Sequence, residues 1–493
     1  MSLVPDTFSD DESVTAPLLP PTAATATGAP AERTPLPFKQ MLVLCIINIC
    51  EPIQLTILFP FIYFMVKDFG VAKNDSEIGW YVGLITSLFS FAQVLSSLPI
   101  GWLSDKIGRR PVLLLGLAGN MFSSILFGLS TNLPAAIVSR FLLGLVNGNI
   151  GVAKSMTGEI TDKSNRPAAF ALFGVCFSLG GIVGPMIGGT LSNPVTQLPW
   201  LFGSSKLFRE FPYLLPCLVS SFVSLTGLVV GWFHLEETLR RESEEVIVAS
   251  ASLLDQDAYQ NTQSSVNPLP HPAIRKDRFP AKAYPAVLGL GLLAMTGIIS
   301  EEFYPLLCTL PVDQLQNGFG FKSFEIGLSL SIRGCFTFLT QIFVFPFIQK
   351  TYGSLRSVRL ALSVFLTSVT CLPFLTYIIP TFGEPTFWVF LVANLAFLTA
   401  GQMSTFTSMF LVVNESAETQ SQLGRVNGMA QMAACVARTV GPLIGGFVWT
   451  RVFAMGVWWG KHVAYAVVVV VGGLLYLETF WIQKALGETA FDF

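Results

Sequence analysis

Apolar residues come in long runs along most of this chain, with short polar interruptions between them. No charge appears from Trp80 to Trp102, and none from Pro111 to Ser139. A helix needs about 20 such residues to cross the hydrocarbon core of a bilayer. Runs of that length predict twelve spans, at residues 41–66, 78–100, 111–131, 133–157, 168–191, 211–233, 284–310, 326–348, 358–380, 385–413, 426–449 and 462–483. The first run follows a long polar tail and exceeds a signal-peptide core, so it reads as a retained span.

Two polar stretches divide the pattern. Residues 1–39 are rich in Pro, Ala, Thr and acids, the composition of a disordered tail. Residues 235–281 open with "HLEETLRRESEEV" at their boundary, pass into Ser/Gln/Asn/Pro-rich sequence and close on "IRKDRFP", which is linker composition. The expected organisation is a tail 1–39, a six-helix bundle 40–234, a cytoplasmic linker 235–281, a second six-helix bundle 282–485 and a tail 486–493.

Composition agrees with that reading. Of 493 residues, 52% are hydrophobic and 12% charged, where a soluble domain carries about 25% charge. The solvent of such a chain is largely the lipid bilayer, and a net charge of −2 gives no reason to expect nucleic acid. The eight cysteines fall in or at the ends of apolar runs, and the three histidines are isolated. No metal-ligand spacing, cofactor motif or nucleophile–base constellation appears, which argues against an enzyme.

Basic residues set the expected orientation. With both termini cytoplasmic, the inner segments hold eighteen Lys and Arg and the outer loops seven; Arg140, Lys154, Arg333 and Arg438 lie within spans.

The halves resemble each other. "SEIGWYVGLITSLFSFAQ" opens the second span and "FEIGLSLSIRGCFTFLTQ" the eighth, so that Glu77-Ile78-Gly79 matches Glu325-Ile326-Gly327 and Gln93 matches Gln341. "GPMIGG" at 184–189 is echoed by "GPLIGG" at 441–446. The fold class predicted is therefore an all-α polytopic membrane protein, with twelve transmembrane helices in two pseudo-symmetric six-helix bundles. A six-plus-six repeat is a transporter architecture with its site between the halves.

Between spans two and three lies "GWLSDKIGRRP", a charged knot in an uncharged stretch. Gly101-x3-Asp105-Lys106-x-Gly108-Arg109-Arg110 resembles the corresponding loop of the major facilitator superfamily. Arg140-x3-Gly144-x3-Gly148 looks like its fourth-span motif. Gly180-x3-Gly184-Pro185-x2-Gly188-Gly189 looks like the fifth-span motif of its proton-coupled drug antiporters, although Ala171 stands where that motif often begins with glycine. No "PESPR"-like run follows the sixth span, unlike the sugar porters. "EPIQLTILFPFIYFMVKDFG" and "LEETL" are similar to the fungal and plant zinc-induced-facilitator-related group.

The resemblance, which covers residues from about 40 to 485, implies alternating access, a small-molecule substrate, protons as coupling partner and function as a monomer. The membrane expected is the plasma membrane or a vacuole-type internal membrane. A non-transporting sensor on the same fold is the rival reading and calls for a large ordered signalling tail. The resemblance also implies a cytoplasmic latch. Asp105 would face the start of span eleven near Gly424–Asn427, and Arg109 would pair with Glu159 or Asp162. These contacts form only when that side is shut. The second-half loop, "QKTYGSLRSVR", has no acid, so the latch is asymmetric.

Physical cost marks the other candidates. A charge at mid-span costs roughly 2.5–3.5 kcal/mol on insertion scales, so it needs a partner, a cavity or a function. Glu51 lies ~15 Å deep in span one by helical rise. It is expected to carry the coupling proton or to contact a cationic substrate. Arg140, Glu301, Glu302, Arg333 and Arg438 are further proton or substrate candidates, Arg140 and Arg438 being the cations considered for Glu51. Lys154 is accounted for by snorkelling. Gly144, Gly148, Gly180, Gly184, Gly188, Gly189 and Gly441 are expected to pack helices closely, and Pro185 and Pro442 to bend them. So few His and Cys disfavour tight binding of bare zinc.

Eighteen bases against seven give an expected topology that protease can test: a cleavage site in 235–281 should be cut only from the cytoplasmic side of oriented membranes. Cutting from the other side refutes it.

Overall fold

A computed structural model of the protein describes residues 34–147, 149–162, 165–239, 279–312, 318–417, 420–455 and 459–487. Most of the two tails, most of the linker, and Gly148 lie outside the described residues. Every regular element among those described is helical.

The first half consists of α1 (Phe38–Thr56, resumed as Ile62–Asp68), α2 (Ile78–Ile107), α3 (Arg109–Gly128), α4 (Leu133–Val146, resumed as Asn149–Ile160), α5 (Arg166–Leu191) and α6 (Leu214–His234). The second half begins with α7 (Ala283–Thr309) and α8 (Ser323–Leu339). A π-helical stretch, Thr340–Val344, then leads into Phe345–Cys371, whose part after a break at Gly353 is called α9. The chain ends in α10 (Glu384–Glu415), α11 (Gln420–Ala454) and α12 (Gly460–Leu486). Eleven described stretches are long and apolar enough to cross a membrane, and the 60-residue one, Ser323–Phe382, contains two spans. All twelve apolar runs of the sequence therefore fall on helices.

Local chemistry sets several boundaries. Asn132 accepts the Ala135 N–H at 3.0 Å and starts α4. Glu325 reaches back to the Lys322 N–H at 2.9 Å and starts α8. The turns α2–α3 and α8–α9 each hinge on a glycine in left-handed space, Gly108 at φ 110° and Gly353 at φ 70°. Side-chain-bearing residues rarely adopt these values.

The halves meet at two crossings near the face opposite the termini. Where α5 meets α8, a Cβ built on Gly189 would lie 2.8 Å from the Gly327 Cα, and one on Gly327 would lie 2.6 Å from the Pro185 carbonyl oxygen. Ser331 Oγ also donates to the Ile182 carbonyl at 2.8 Å. Where α2 meets α11, a Cβ on Gly446 would lie 2.6 Å from the Gly79 oxygen, and one on Gly83 would lie 2.3 Å from the Pro442 oxygen. Both helices run through their prolines without interruption.

Near the terminus-bearing face the halves separate. Built Cβ atoms on Gly101 of α2 and on Gly424 and Gly428 of α11 meet nothing within 4 Å. Leu98, Trp102 and Met432 are exposed there. The molecule is thus shut opposite the termini and open toward them.

A valine at position 327 has no room against the Pro185 carbonyl. Overpacking of this kind costs about 1–3 kcal/mol, so Gly327→Val should shift the population away from the shut crossing by roughly 5–150-fold. Spin labels at Leu207 and Phe382, exposed on that face in opposite halves, should report a longer distance. An unchanged distance contradicts the steric account.

Candidate functional site

Four polar assemblies lie within or beside the seam between the halves. The first is built on Glu51, buried near the middle of α1. α4 breaks after Val146, and Asn147 takes non-helical angles of φ −89°, ψ 61°. That break presents the Asn147 amide to the carboxylate. With its nitrogen facing Glu51, it donates to Oε1 at 2.7 Å and to Oε2 at 3.1 Å. Among the described residues no cation pairs with Glu51 within 4 Å. The charges of Arg438 on α11 and Lys154 on α4 nevertheless act on it from opposite halves.

Arg140 does not join this group. It is buried on α4, with its guanidinium 5.2 Å from the Phe127 ring and 5.3 Å from the Phe89 ring. A desolvated cation over aromatic faces gains about 2 kcal/mol, so the rings take the place of an anion. Lys154, attributed to snorkelling in the sequence, is the α4 cation whose charge acts on Glu51 without pairing with it. Asn147 was missed, although the polar run Asn147-Gly148-Asn149 inside an apolar span was its visible signal.

The second assembly joins α7, α8 and α10. Arg333 donates to Glu301 Oε1 at 3.1 Å and to Gln402 Oε1 at 2.5 Å, while Gln402 Nε2 lies 3.4 Å from the same Glu301 oxygen. Sequence reasoning named Glu301 and Arg333 separately but did not pair them, and it missed Gln402. A cavity of about 90 Å³ adjoins the group, lined by Phe59, Phe177 and Ser178 from one half and by Glu301, Arg333 and Met403 from the other.

Glu302, the neighbouring residue, faces elsewhere. It is buried at the α2–α11 crossing, and neither carboxylate oxygen has a hydrogen-bond partner.

The fourth assembly is the charged turn. Arg109 bridges Asp105 at 2.5 Å and Glu159 at 3.1 Å, and donates to Ser104 Oγ at 2.7 Å. Thr238 donates to the other Glu159 oxygen. Glu237 caps α3, accepting the backbone N–H groups of Arg109 at 2.8 Å and Arg110 at 3.1 Å, and the positive end of the helix favours that carboxylate. Arg110 donates to the Trp232 carbonyl, and Lys106 sits 3.8 Å from the Trp102 ring. Of the two acids expected for Arg109, Glu159 is its partner, and Asp162 accepts the Asn165 N–H at 3.2 Å. Asp105 does not face α11. It pairs within its own half and its side chain is 63% exposed, because the halves have parted on this face.

The motif glycines serve as close-packing points. Gly144 packs on Phe89 and Ala92 of α2, and Gly180 and Gly184 on α1 around Pro52, Ile53 and Thr56. Gly188 packs on Ile57, and Gly441 on Ile298 of α7.

Two pseudo-symmetric helical bundles, parted on one face and closed on the other over buried polar groups, define a membrane transport protein. The family model described as Major Facilitator Superfamily matches residues 44–306. The chain belongs to that superfamily and is an integral membrane transporter, not an enzyme. It is 29% identical to the major facilitator superfamily multidrug transporter mfsB of Aspergillus fumigatus, over 91% of this chain and 84% of that protein. It is also 29% identical to ZINC INDUCED FACILITATOR 1 of Arabidopsis thaliana, over 91% of this chain and 93% of that protein. The crystal structure of the human organic anion transporter MFSD10 (TETRAN) superposes with a TM-score of 0.56 at 21% identity, covering 91% of this chain and all of that one.

Proposed function

We propose that the protein exchanges small organic molecules for protons by alternating access, with Glu51 as the coupling carboxyl. The observation that carries this reading is the position of Glu51: it is buried on α1, held by Asn147, and acted on by cations from both halves. An ionised Glu51 attracts Arg438 across the seam, and protonation removes that attraction. A proton or a cationic substrate at this point therefore changes how strongly the halves hold together, which is what coupling requires. The interdomain cavity supports the substrate class. Phe59, Phe177 and Met403 offer apolar surface, and Arg333, Glu301 and Gln402 offer a few convergent polar groups, the usual makeup of a small-molecule site. The similarity to a multidrug transporter is in keeping with it.

In this reading both termini are cytoplasmic and the structure is open inward. The turn 101–111 is the latch of that open face. When the face shuts, Asp105 exchanges its exposed contact with Arg109 for the N-terminal end of α11. A carboxylate there gains roughly 0.3–1 kcal/mol from the helix dipole.

Two outcomes follow. Glu51→Gln in liposomes should abolish accumulation driven by a pH gradient while impairing substrate exchange at equal pH far less, and Glu51→Asp should keep partial coupling. If the Gln protein still concentrates substrate when only a pH gradient is applied, Glu51 is not the coupling site. Asp105→Asn should insert normally, transport more slowly, and raise cysteine labelling in the inner cavity by about two- to fivefold, the dipole contribution expressed as a population ratio. Unchanged labelling and transport reduce the turn to a topological anchor.

A further inference from the structure

Glu302 has no part in the coupling scheme above, yet it sits in a close-packed seam between two glycines. Its Oε1 lies 2.7 Å from where a Cβ on Gly83 of α2 would sit, and its Oε2 lies 3.0 Å from a Cβ on Gly445 of α11. The side chain is 2% exposed, and neither oxygen finds a donor. At the pseudo-symmetric crossing, Gly188 of α5 packs against Ile57 of α1. The equivalent position in the other half thus carries an apolar residue, whose backbone carbonyl makes the closest contact with the glycine.

The charged groups of the surrounding helices are engaged elsewhere. Glu301, next in sequence, pairs with Arg333. On α2, Glu77 accepts the Lys73 N–H. On α11, Arg451 stacks on Phe447 and Arg438 donates to Cys435. On α12, the uncharged Tyr465 packs its ring on Phe303, and its buried hydroxyl has no hydrogen-bond partner. Among the described residues no charged group acts on Glu302. A buried carboxylate without a donor or a cation is far costlier than the neutral acid.

We propose that Glu302 is a proton-operated latch of the face opposite the termini. Closing the α2–α7–α11 seam over it takes up one proton from the water on that side, converting carboxylate to carboxylic acid. Opening the seam returns the proton to the same water. The latch rests on alternating access but not on Glu51, since its proton need not cross the membrane. Its sign is fixed. In the pH range where the open form is ionised and the shut form is neutral, raising the pH opens the seam by up to tenfold per unit.

The test measures the distance between spin labels at Leu207 and Phe382 across a pH series, in the full chain reconstituted in lipid with its native cysteines replaced. The wild-type background and Glu51→Gln should both lose the short-distance population as pH rises. Glu302→Gln, which matches the neutral acid in shape, should hold that population at every pH, as should Glu302→Met, which fills the seam without a polar head. If either Glu302 variant keeps the wild-type pH dependence, the proposal is overturned. A pH-independent distance in wild type overturns it also. Because the measurement reads seam closure and not transport, a failure here leaves the Glu51 reading standing, and a failure of Glu51 coupling leaves this one standing.

Discussion

Contact between backbones at two glycine crossings governs this structure. In lipid, helices gain nothing from hiding apolar side chains, so association depends on close packing and on polar groups. The sequence meets that condition with paired glycines that serve two neighbours at once. Gly188 packs on α1 within its own half, and Gly189 packs on α8 of the other half. Gly445 packs on α7 within its half, and Gly446 packs on α2 across the seam. One dipeptide in each half therefore welds a bundle together and also sets its distance from the other bundle. Backbone contact of this kind is either made or broken.

The charges answer the same low-dielectric setting in four different ways. Arg333 is fully engaged by Glu301 and Gln402. Arg140 substitutes aromatic faces for an anion. Glu51 combines a neutral amide with two more distant cations. Glu302 lies between two glycines with no hydrogen-bond partner for either oxygen. The first two arrangements take their partners from one half, and Arg333 and Glu301 also line the cavity between the halves. The last two lie where the halves meet, so motion of the halves changes their surroundings.

Much of this was legible in the sequence. Run length gave the spans, because the bilayer imposes a length that a soluble core does not. The repeat of Glu77-Ile78-Gly79 in Glu325-Ile326-Gly327 revealed the two similar halves, and the structure adds that Gly79 and Gly327 are contact points between them. The charged turn announced itself by contrast with its neighbours, and Glu159 was named as a partner of Arg109. The rest depended on azimuth. Glu301 and Glu302 are adjacent, so they point about 100° apart on a helix, and nothing in their order says which one faces Arg333 and which the seam. Arg140 and Lys154 share a span, yet Arg140 lies over the Phe89 and Phe127 rings while the charge of Lys154 acts on Glu51. Gln402 carries no charge, so hydropathy and charge counting pass over it.

The repeat also shows what symmetry alone cannot supply. Pro60 of the first half aligns with Pro305 of the second, which sets Glu51 opposite Thr296 and Ile57 opposite Glu302. The contacts agree, since Ile57 meets Gly188 where Glu302 meets Gly445. The two halves thus share backbone geometry but carry their seam carboxyls at different levels, α1 nearer the middle and α7 beneath the closed face. Thr296 answers Glu51 with a hydroxyl that bonds its own helix at Leu292, 2.7 Å away. A scaffold with identical charges in both halves would respond alike to a proton reaching either half. Placing one acid at each level leaves the two halves with different charges along a shared backbone geometry.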